Sequence, residues 1–383
     1  MSTKIPETTR QRGHGGRRWW RWGCGTVAAL LALLLVLAAV WVWRANDTLE
    51  KNITVDDQLL PSTTTPSTPP DNGGDGGTES PTGDGKGSGT DGGGTEKASR
   101  YLKDVTGDGK PDKGAKGTVT APSDSAEKAQ NPSRGAEGTR NILIVGEDDG
   151  RSNGAVRSDV MILAHMNASG SKVTLVHFPR DLWVPIPGHG FDKLNYAYSA
   201  GGAPLLAQTF QGALDVPVTD VVVTDFESFS STVDALGGVT VRNPQPSPEF
   251  PEGTVRLDDG AEALRFVRER KTLKLGDMGR GERQMAVLSG VFDAARSAEV
   301  ARNPNKVQRI LDASTRNVRV SAGLSPKEIR GIGRRFITGG GTVTYQTAPW
   351  ASIGWSPDGR QSIVVPDWAG IRALGEKVRN DSL

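Results

Sequence analysis

The chain has 383 residues, 49 of them Gly and 23 Pro, and a formal net charge of +2. That near balance gives no overall basic field for nucleic acid, and one cysteine, Cys24, excludes a disulfide framework. Length alone suggests two or three domains, but the uneven spread of Gly and Pro suggests one folded domain, one membrane span and a long linker.

Residues 1–22 carry Lys4, Arg10, Arg12, Arg17, Arg18 and Arg21 against Glu7. They read as a basic cytoplasmic tail. Residues 23–43 contain no charge and are dominated by Leu, Ala and Val. About 21 residues at ~1.5 Å each reach ~31 Å, enough for the hydrocarbon core. Trp19, Trp20 and Trp22 flank one end, and Trp41 and Trp43 the other. Positive residues before the span place the N-terminus in the cytoplasm and the rest outside, as a single-pass protein of the cell membrane. A cleaved signal peptide is the competing reading. The bulky VWVWR at the end of the run, where a small-x-small site would stand, favours an uncleaved anchor.

Residues 44–138 read as an extracellular linker rich in Gly, Pro, Ser and Thr. Within it, Asp104, Thr106, Asp108, Gly109 and Asp112 follow calcium-loop spacing. Ala115 stands where a bidentate Glu is needed, so a soluble polar tract competes.

From residue 139 to 383 the composition is globular. Asn141–Gly146, Asp159–Met166 and Lys172–Phe178 are predicted strands, short, β-branched and bounded by turn residues. An antiparallel meander would bring Asp148, Arg157, Asp159, Arg180 and Asp181 to one sheet edge. Carboxylates there suit a hard cation such as Mg²⁺, and arginines suit phosphate. Helices follow near Pro204–Leu214 and over Phe226–Leu236, with a strand at Val218–Thr224 between them. Asp258 is the expected cap of a helix running to Val267. Further helices are expected at Gly281–Ala298, Asn305–Thr315 and Pro326–Phe336, and late strands at Thr342–Gln346 and Ser362–Val365. The alternation implies an α/β fold with a mixed central β-sheet sandwiched by helices.

Other candidates lie further along. Arg268 and Arg270 close one helix; at i and i+2 they converge only if the chain leaves helical geometry between them. A pair of solvated cations is the alternative. Arg280, Arg283 and Gln284 share a face of the next helix, where an anion would offset the unfavourable dipole. Lys193 of DKLN offers a point charge. No Walker loop or helix-opening GxGxxG occurs, so the motifs of a nucleoside triphosphatase and a dinucleotide enzyme are missing.

The ordered blocks NILIVGEDD, RSDVMIL, HFPRDLWVPIPGHGFDKLNYAYSAGG, DFESFSSTVDALGGV, LDDGAEALRFVRER and GDMGRGERQ resemble the LytR-CpsA-Psr family of cell-envelope phosphotransferases. The resemblance is close over residues 139–284 and looser beyond. It implies an α/β sandwich with an apolar cavity for a lipid tail. The implied activity is transfer of a glycopolymer from a polyprenyl-pyrophosphate carrier to peptidoglycan. The implied metal ligands for Mg²⁺ (or Mn²⁺) are Asp148 and Asp159. The implied pyrophosphate contacts are Arg157, Arg268 and Arg270, with Arg180, Lys193, Asp277, Arg280 and Gln284 as further site residues. Asp181, Asn195 and Arg283 are supporting candidates from the surrounding blocks, and Asp277 or Asp181 is a candidate base. One departure stands in the first block. GEDDGR keeps Asp148, but Gly150 takes the usual basic position and Arg151 is shifted by one. A carrier pyrophosphatase, and a non-catalytic envelope regulator or binder of anionic polymer, are the alternative readings.

Overall fold

The computed structural model describes residues 47–61, 121–148 and 157–383. The expected tail, the span at 23–43 and the calcium-like tract at 104–112 lie outside the described residues. No helix among the described residues is long and apolar enough to cross a membrane.

Thirteen strands are described. β1 (Ile53–Val55), β2 (Arg140–Asp148), β3 (Arg157–Met166), β4 (Lys172–His177), β7 (Asp220–Asp225), β10 (Val318–Val320) and β11 (Thr342–Thr347) form one sheet in the order β1-β10-β7-β2-β3-β4-β11. The meander is as expected: β2 pairs antiparallel with β3, and β3 with β4. β7 joins β2 in parallel and β11 joins β4 in parallel, so the sheet is mixed. Three hairpins, β5 (Trp183–Ile186) with β6 (Gly190–Lys193), β8 (Val239–Asn243) with β9 (Gly253–Leu257), and β12 (Trp350–Trp355) with β13 (Ser362–Pro366), sit outside it.

Period-two alternation gives the sheet two apolar faces. On one, Leu143, Val145, Met161, Leu163, Val176, Val221 and Val223 meet Phe210, Leu206 and Leu214 of the Leu194–Leu214 helix and Ile371 of the Trp368–Arg379 helix. That long helix is kinked where Gly201 and Gly202 leave helical geometry, Gly202 at φ +62, and Pro204 opens its second half. On the other face, Ile142 and Val222 meet Ile329 and Ile332 of the Pro326–Thr338 helix. The Gly276–Ala295 helix crosses this face so closely that a Cβ on Gly281 would stand 2.3 Å from His177 Cε1. A second core holds Val233, Leu257, Phe266 and Val287 under the β8–β9 hairpin.

Some boundaries differ from expectation. Residues 44–138 were expected to be linker, yet β1 pairs in parallel with β10 and Leu59 enters the main core. The helix Ser125–Gln130 packs its Ser125 and Ala129 against Gly212. A three-residue strand is too short to carry a readable alternation; it is fixed by the neighbour it pairs with. Asp259, not Asp258, caps the Gly260–Arg268 helix, accepting from Glu262 N. The helix expected at Gly281–Ala298 runs from Gly276 to Ala295. Its first turn therefore contains Asp277 and Arg280.

Candidate functional site

The antiparallel register gathers the charged strand ends. β2 and β3 slip between Gly146 and Glu147: Gly146 opposes Val160, Glu147 opposes Ser158, and Asp148 opposes Arg157. Asp159 is the extra residue of this bulge, a local irregularity that re-aims a side chain at the rim of a sheet. The side chains of Asp148 and Arg157 lie outside the described residues; their backbones place them opposite one another at that edge.

Around Asp159 the chain assembles a charge network from four segments. Arg180, just past β4, donates from Nη1 to Asp159 Oδ1 at 2.6 Å, and its Nη2 stands 3.2 Å from Asp277 Oδ1. Arg280 lies 2.9 Å from Asp277 Oδ1 and 3.6 Å from Asp159 Oδ2. Lys193, closing β6, pairs with Asp181 at 3.0 Å. Asn195 N donates to Arg180 O, which ties the DKLN turn to the PRD turn through backbone. Most of this network is sheltered: Arg280 is 6 % exposed, as is Gln284 one turn on. Burial pushes the Asp277 carboxyl up, against the pull of Arg280 and Arg180. Burial also lowers Arg280.

Three carboxylates (Asp159, Asp181, Asp277) meet three cations (Arg180, Arg280, Lys193), so the described network is charge-balanced. Among the described residues no three His, Cys, Asp or Glu side chains are grouped to hold a metal ion. A hard divalent cation would draw on carboxylate oxygens such as those of Asp159, whose Oδ2 has only the longer, 3.6 Å contact to Arg280.

An apolar cavity of about 150 Å3 lies near the network, lined by Val160, next to Asp159 in sequence, and by Gln284, one helical turn past Arg280. Ile144, Val160 and Ile162 form its floor, and Phe226, Phe229, Val267 and Leu288 its walls, with Gln284 at the charged end. These residues escaped the sequence reading, because an alternating strand shows which residues face inward but not where a helix stands off to leave a gap. Glu147 lines the same cavity, accepts from Tyr198 Oη, and pairs with Arg319 at 2.7 Å.

The remaining candidates divide. The chain does leave helical geometry after Arg268: Glu269 is extended, at φ −63 and ψ 132. Arg268 packs its guanidinium 4.6 Å over the Phe226 ring, at the cavity wall. Arg268 and Arg270 are both exposed, Arg270 just before the turn that starts at Lys271. Arg283 does not join Arg280 and Gln284 at the anion-facing surface. It is fully buried, donating to Gln245 O, Phe266 O and Ser247 Oγ, with its guanidinium 4.5 Å from the Phe266 ring and 5.4 Å from Phe250. Three residues along a helix is 300°, a net difference of about 60° between the two side chains, and here Arg280 lies on the network side of that difference and Arg283 on the side of the second core.

A sequence profile described as the LytR_cpsA_psr family matches residues 110–353. Two relatives are named polyisoprenyl-teichoic acid–peptidoglycan teichoic acid transferases. TagU of Oceanobacillus iheyensis is 37 % identical over 188 residues, 46 % of this chain and 57 % of its own. TagT of Bacillus subtilis is 36 % identical over 172 residues, 41 % of this chain and 52 % of its own. The chain thus spans about half the length of the curated relatives it matches. Among solved structures, TagT bound to LI-WTA has a TM-score of 0.50 at 27 % identity, covering 64 % of this chain and 91 % of that one. TagV of B. subtilis has a TM-score of 0.52 at 25 % identity, covering 63 % and 96 %. An enzyme from Actinomyces oris has the same fold, with a TM-score of 0.51 at 23 % identity, covering 65 % and 93 %.

Proposed function

This chain belongs to the LytR-CpsA-Psr family, and we propose that it is a membrane-anchored phosphotransferase that moves a glycopolymer from a polyprenyl-pyrophosphate carrier onto peptidoglycan. The observation that carries the reading is the Asp159–Arg180–Asp277–Arg280 network, with an apolar cavity nearby that Val160 and Gln284 line. A lipid pyrophosphate has those two halves, an anionic head and an apolar tail. The relatives' names and the TagT complex point to the same class of substrate.

In this reading the cavity takes the first isoprene units and the network takes the pyrophosphate. The hydroxyl oxygen of a wall sugar bonds to the phosphorus that carries the glycan. The bond from that phosphorus to the bridging oxygen breaks, and polyprenyl phosphate leaves with the electron pair. The hydroxyl proton passes to a base. Asp277, whose carboxyl is pushed up by burial, suits that role. Phosphoryl transfer asks for positioning and charge neutralisation more than for a protein nucleophile. Arg180 and Arg280 supply the donors, and Arg268 and Arg157 would complete the clamp. The pyrophosphate diester brings two negative charges to a balanced network, and Asp148 and Asp159 would hold a Mg²⁺ ion that would supply two positive ones there. The span at 23–43 would hold the domain on the outer face of the cell membrane, where this lipid is met.

Full-length protein in detergent, given a lipid-linked oligosaccharide, peptidoglycan and Mg²⁺, should release polyprenyl monophosphate and leave the glycan wall-bound. Chelation should stop the release. Intact donor after incubation with several carriers would refute the proposal, and free glycan phosphate in place of wall-bound glycan would make the protein a pyrophosphatase.

A further inference from the structure

A second opening lies on the opposite flank of the Gly276–Ala295 helix. It is a cleft of about 430 Å3 between that helix, the β8 strand and the edge strand β11. Glu282, Ala286, Ser289 and Asp293 line it from the helix, at i, i+4, i+7 and i+11, one stripe of the surface. Tyr345 and Thr347 line it from β11. The lipid-sized cavity takes Gln284 and Leu288 from the same helix. One helix therefore separates two openings, and its first turn carries Asp277 and Arg280 of the charge network.

We propose that this cleft holds the sugar strand of the acceptor; the assignment rests on the transferase reading above. Three observations carry it. First, phosphoryl transfer places attacking and leaving oxygens roughly in line across phosphorus. A leaving lipid phosphate on the cavity flank therefore requires the hydroxyl to arrive from the other side, where the cleft lies. The cleft reaches that end of the sheet: Thr347 is in register with His177, three residues before Arg180.

Second, the cleft's charge selects between the two polymers. Glu282 and Asp293 face it against the single cation Arg242. Two carboxylates disfavour a phosphate-rich donor chain and accept hydrogen bonds from sugar hydroxyls. Met285, Ala286 and Val241 supply apolar surface for the C–H face of a sugar ring.

Third, the lining has a polar group left to satisfy. Tyr345 Oη is shielded from solvent and makes no hydrogen bond of ordinary geometry, although Ser289 stands beside it. Buried hydroxyls are nearly always paired, and a ligand hydroxyl or amide would pair this one.

The test uses full-length protein and a peptidoglycan-derived tetrasaccharide without stem peptides, with affinity read by calorimetry and no turnover required. Ala286→Trp, which fills the cleft, should weaken tetrasaccharide binding more than tenfold. Tyr345→Phe should weaken it about fivefold, one hydrogen bond's worth, with an unchanged melting temperature. Binding of the lipid-pyrophosphate donor should be unchanged in both. Unchanged tetrasaccharide affinity in Tyr345→Phe and in a folded Ala286→Trp, or no binding to the wild-type chain at millimolar sugar, overturns the assignment. Because these arms read binding alone, they separate failure of the cleft from failure of the transferase chemistry.

Discussion

Arg280 and Arg283 stand less than one turn apart on the same helix and do unlike work. Arg280 faces Asp277 and Asp159 at the sheet edge, beside the cavity. Arg283 faces two carbonyls, a hydroxyl and two phenyl rings, with no carboxylate among its hydrogen-bond partners. The first sits in a network of paired charges. The second is sealed, and burial lowers its pKa. The difference teaches that an arginine-rich helix start serves two purposes here. Arg280 joins the carboxylates of the charge network, and Arg283 locks the Gln245–Ser247 loop against the second core.

That contrast is broken most severely at the site. Arg280→Ala and Arg180→Ala should each lower kcat by about 10³-fold or more, the scale of losing a positioned charge in phosphoryl transfer. Asp159→Ala should abolish turnover. Circular dichroism should show all three folded, and activity near wild type in any of them would remove that residue from the mechanism.

On the sealed side the loss should appear as stability. Arg283→Ala removes a buried fork and leaves two carbonyls unpaired, at a cost of about 3–5 kcal/mol. Arg283→Lys should recover little, because an ammonium cannot span the same acceptors. Denaturant midpoints check this, with kcat per folded molecule unchanged. If kcat instead falls with stability intact, Arg283 belongs to the site.

His177, beneath Gly281 where the helix crosses β4, sharpens the comparison through pH. It is fully buried, and desolvation, helped by Arg280, lowers its pKa to about 4. The folded state therefore binds fewer protons than the unfolded state between about pH 6.5 and 4. Stability is present above that window and declines as pH falls through it, by about 3 kcal/mol at ~1.4 kcal/mol per unit. The decline should be missing from His177→Gln; an equal acid slope in both would mean that other groups carry it.

The smallest effect concerns residues 62–120. Leu59 on one side and Ala129 on the other both pack into Leu49–Leu383, a single compact unit. Both residues that flank this low-complexity stretch therefore belong to one compact unit. A protease site placed within 62–120 should, once cut, leave the domain membrane-bound and its stability nearly unchanged. Release into the soluble fraction would restore the tether reading.

Much of this architecture was legible in the chain. The meander could be read because strands of six to ten residues have room for alternation and turn punctuation. Its consequence, that Asp159 and Arg180 share an edge, followed from register alone. The bulge that singles out Asp159 was not legible, because it depends on pairing across strands. Neither was the burial of Arg283, since helical spacing assigns a face only to within the width of that face. Short β1 and the cavity were hidden for a shared reason: each is defined by what packs against it from far along the chain.

The most direct test of the central claim is donor affinity, measured by calorimetry with a lipid pyrophosphate carrying a short glycan. Arg180→Ala and Arg280→Ala should each bind it at least tenfold more weakly than wild type, while folded Arg283→Lys binds it as tightly. Equal affinity in all four proteins, or a loss confined to Arg283→Lys, would contradict the placement of the pyrophosphate at this edge.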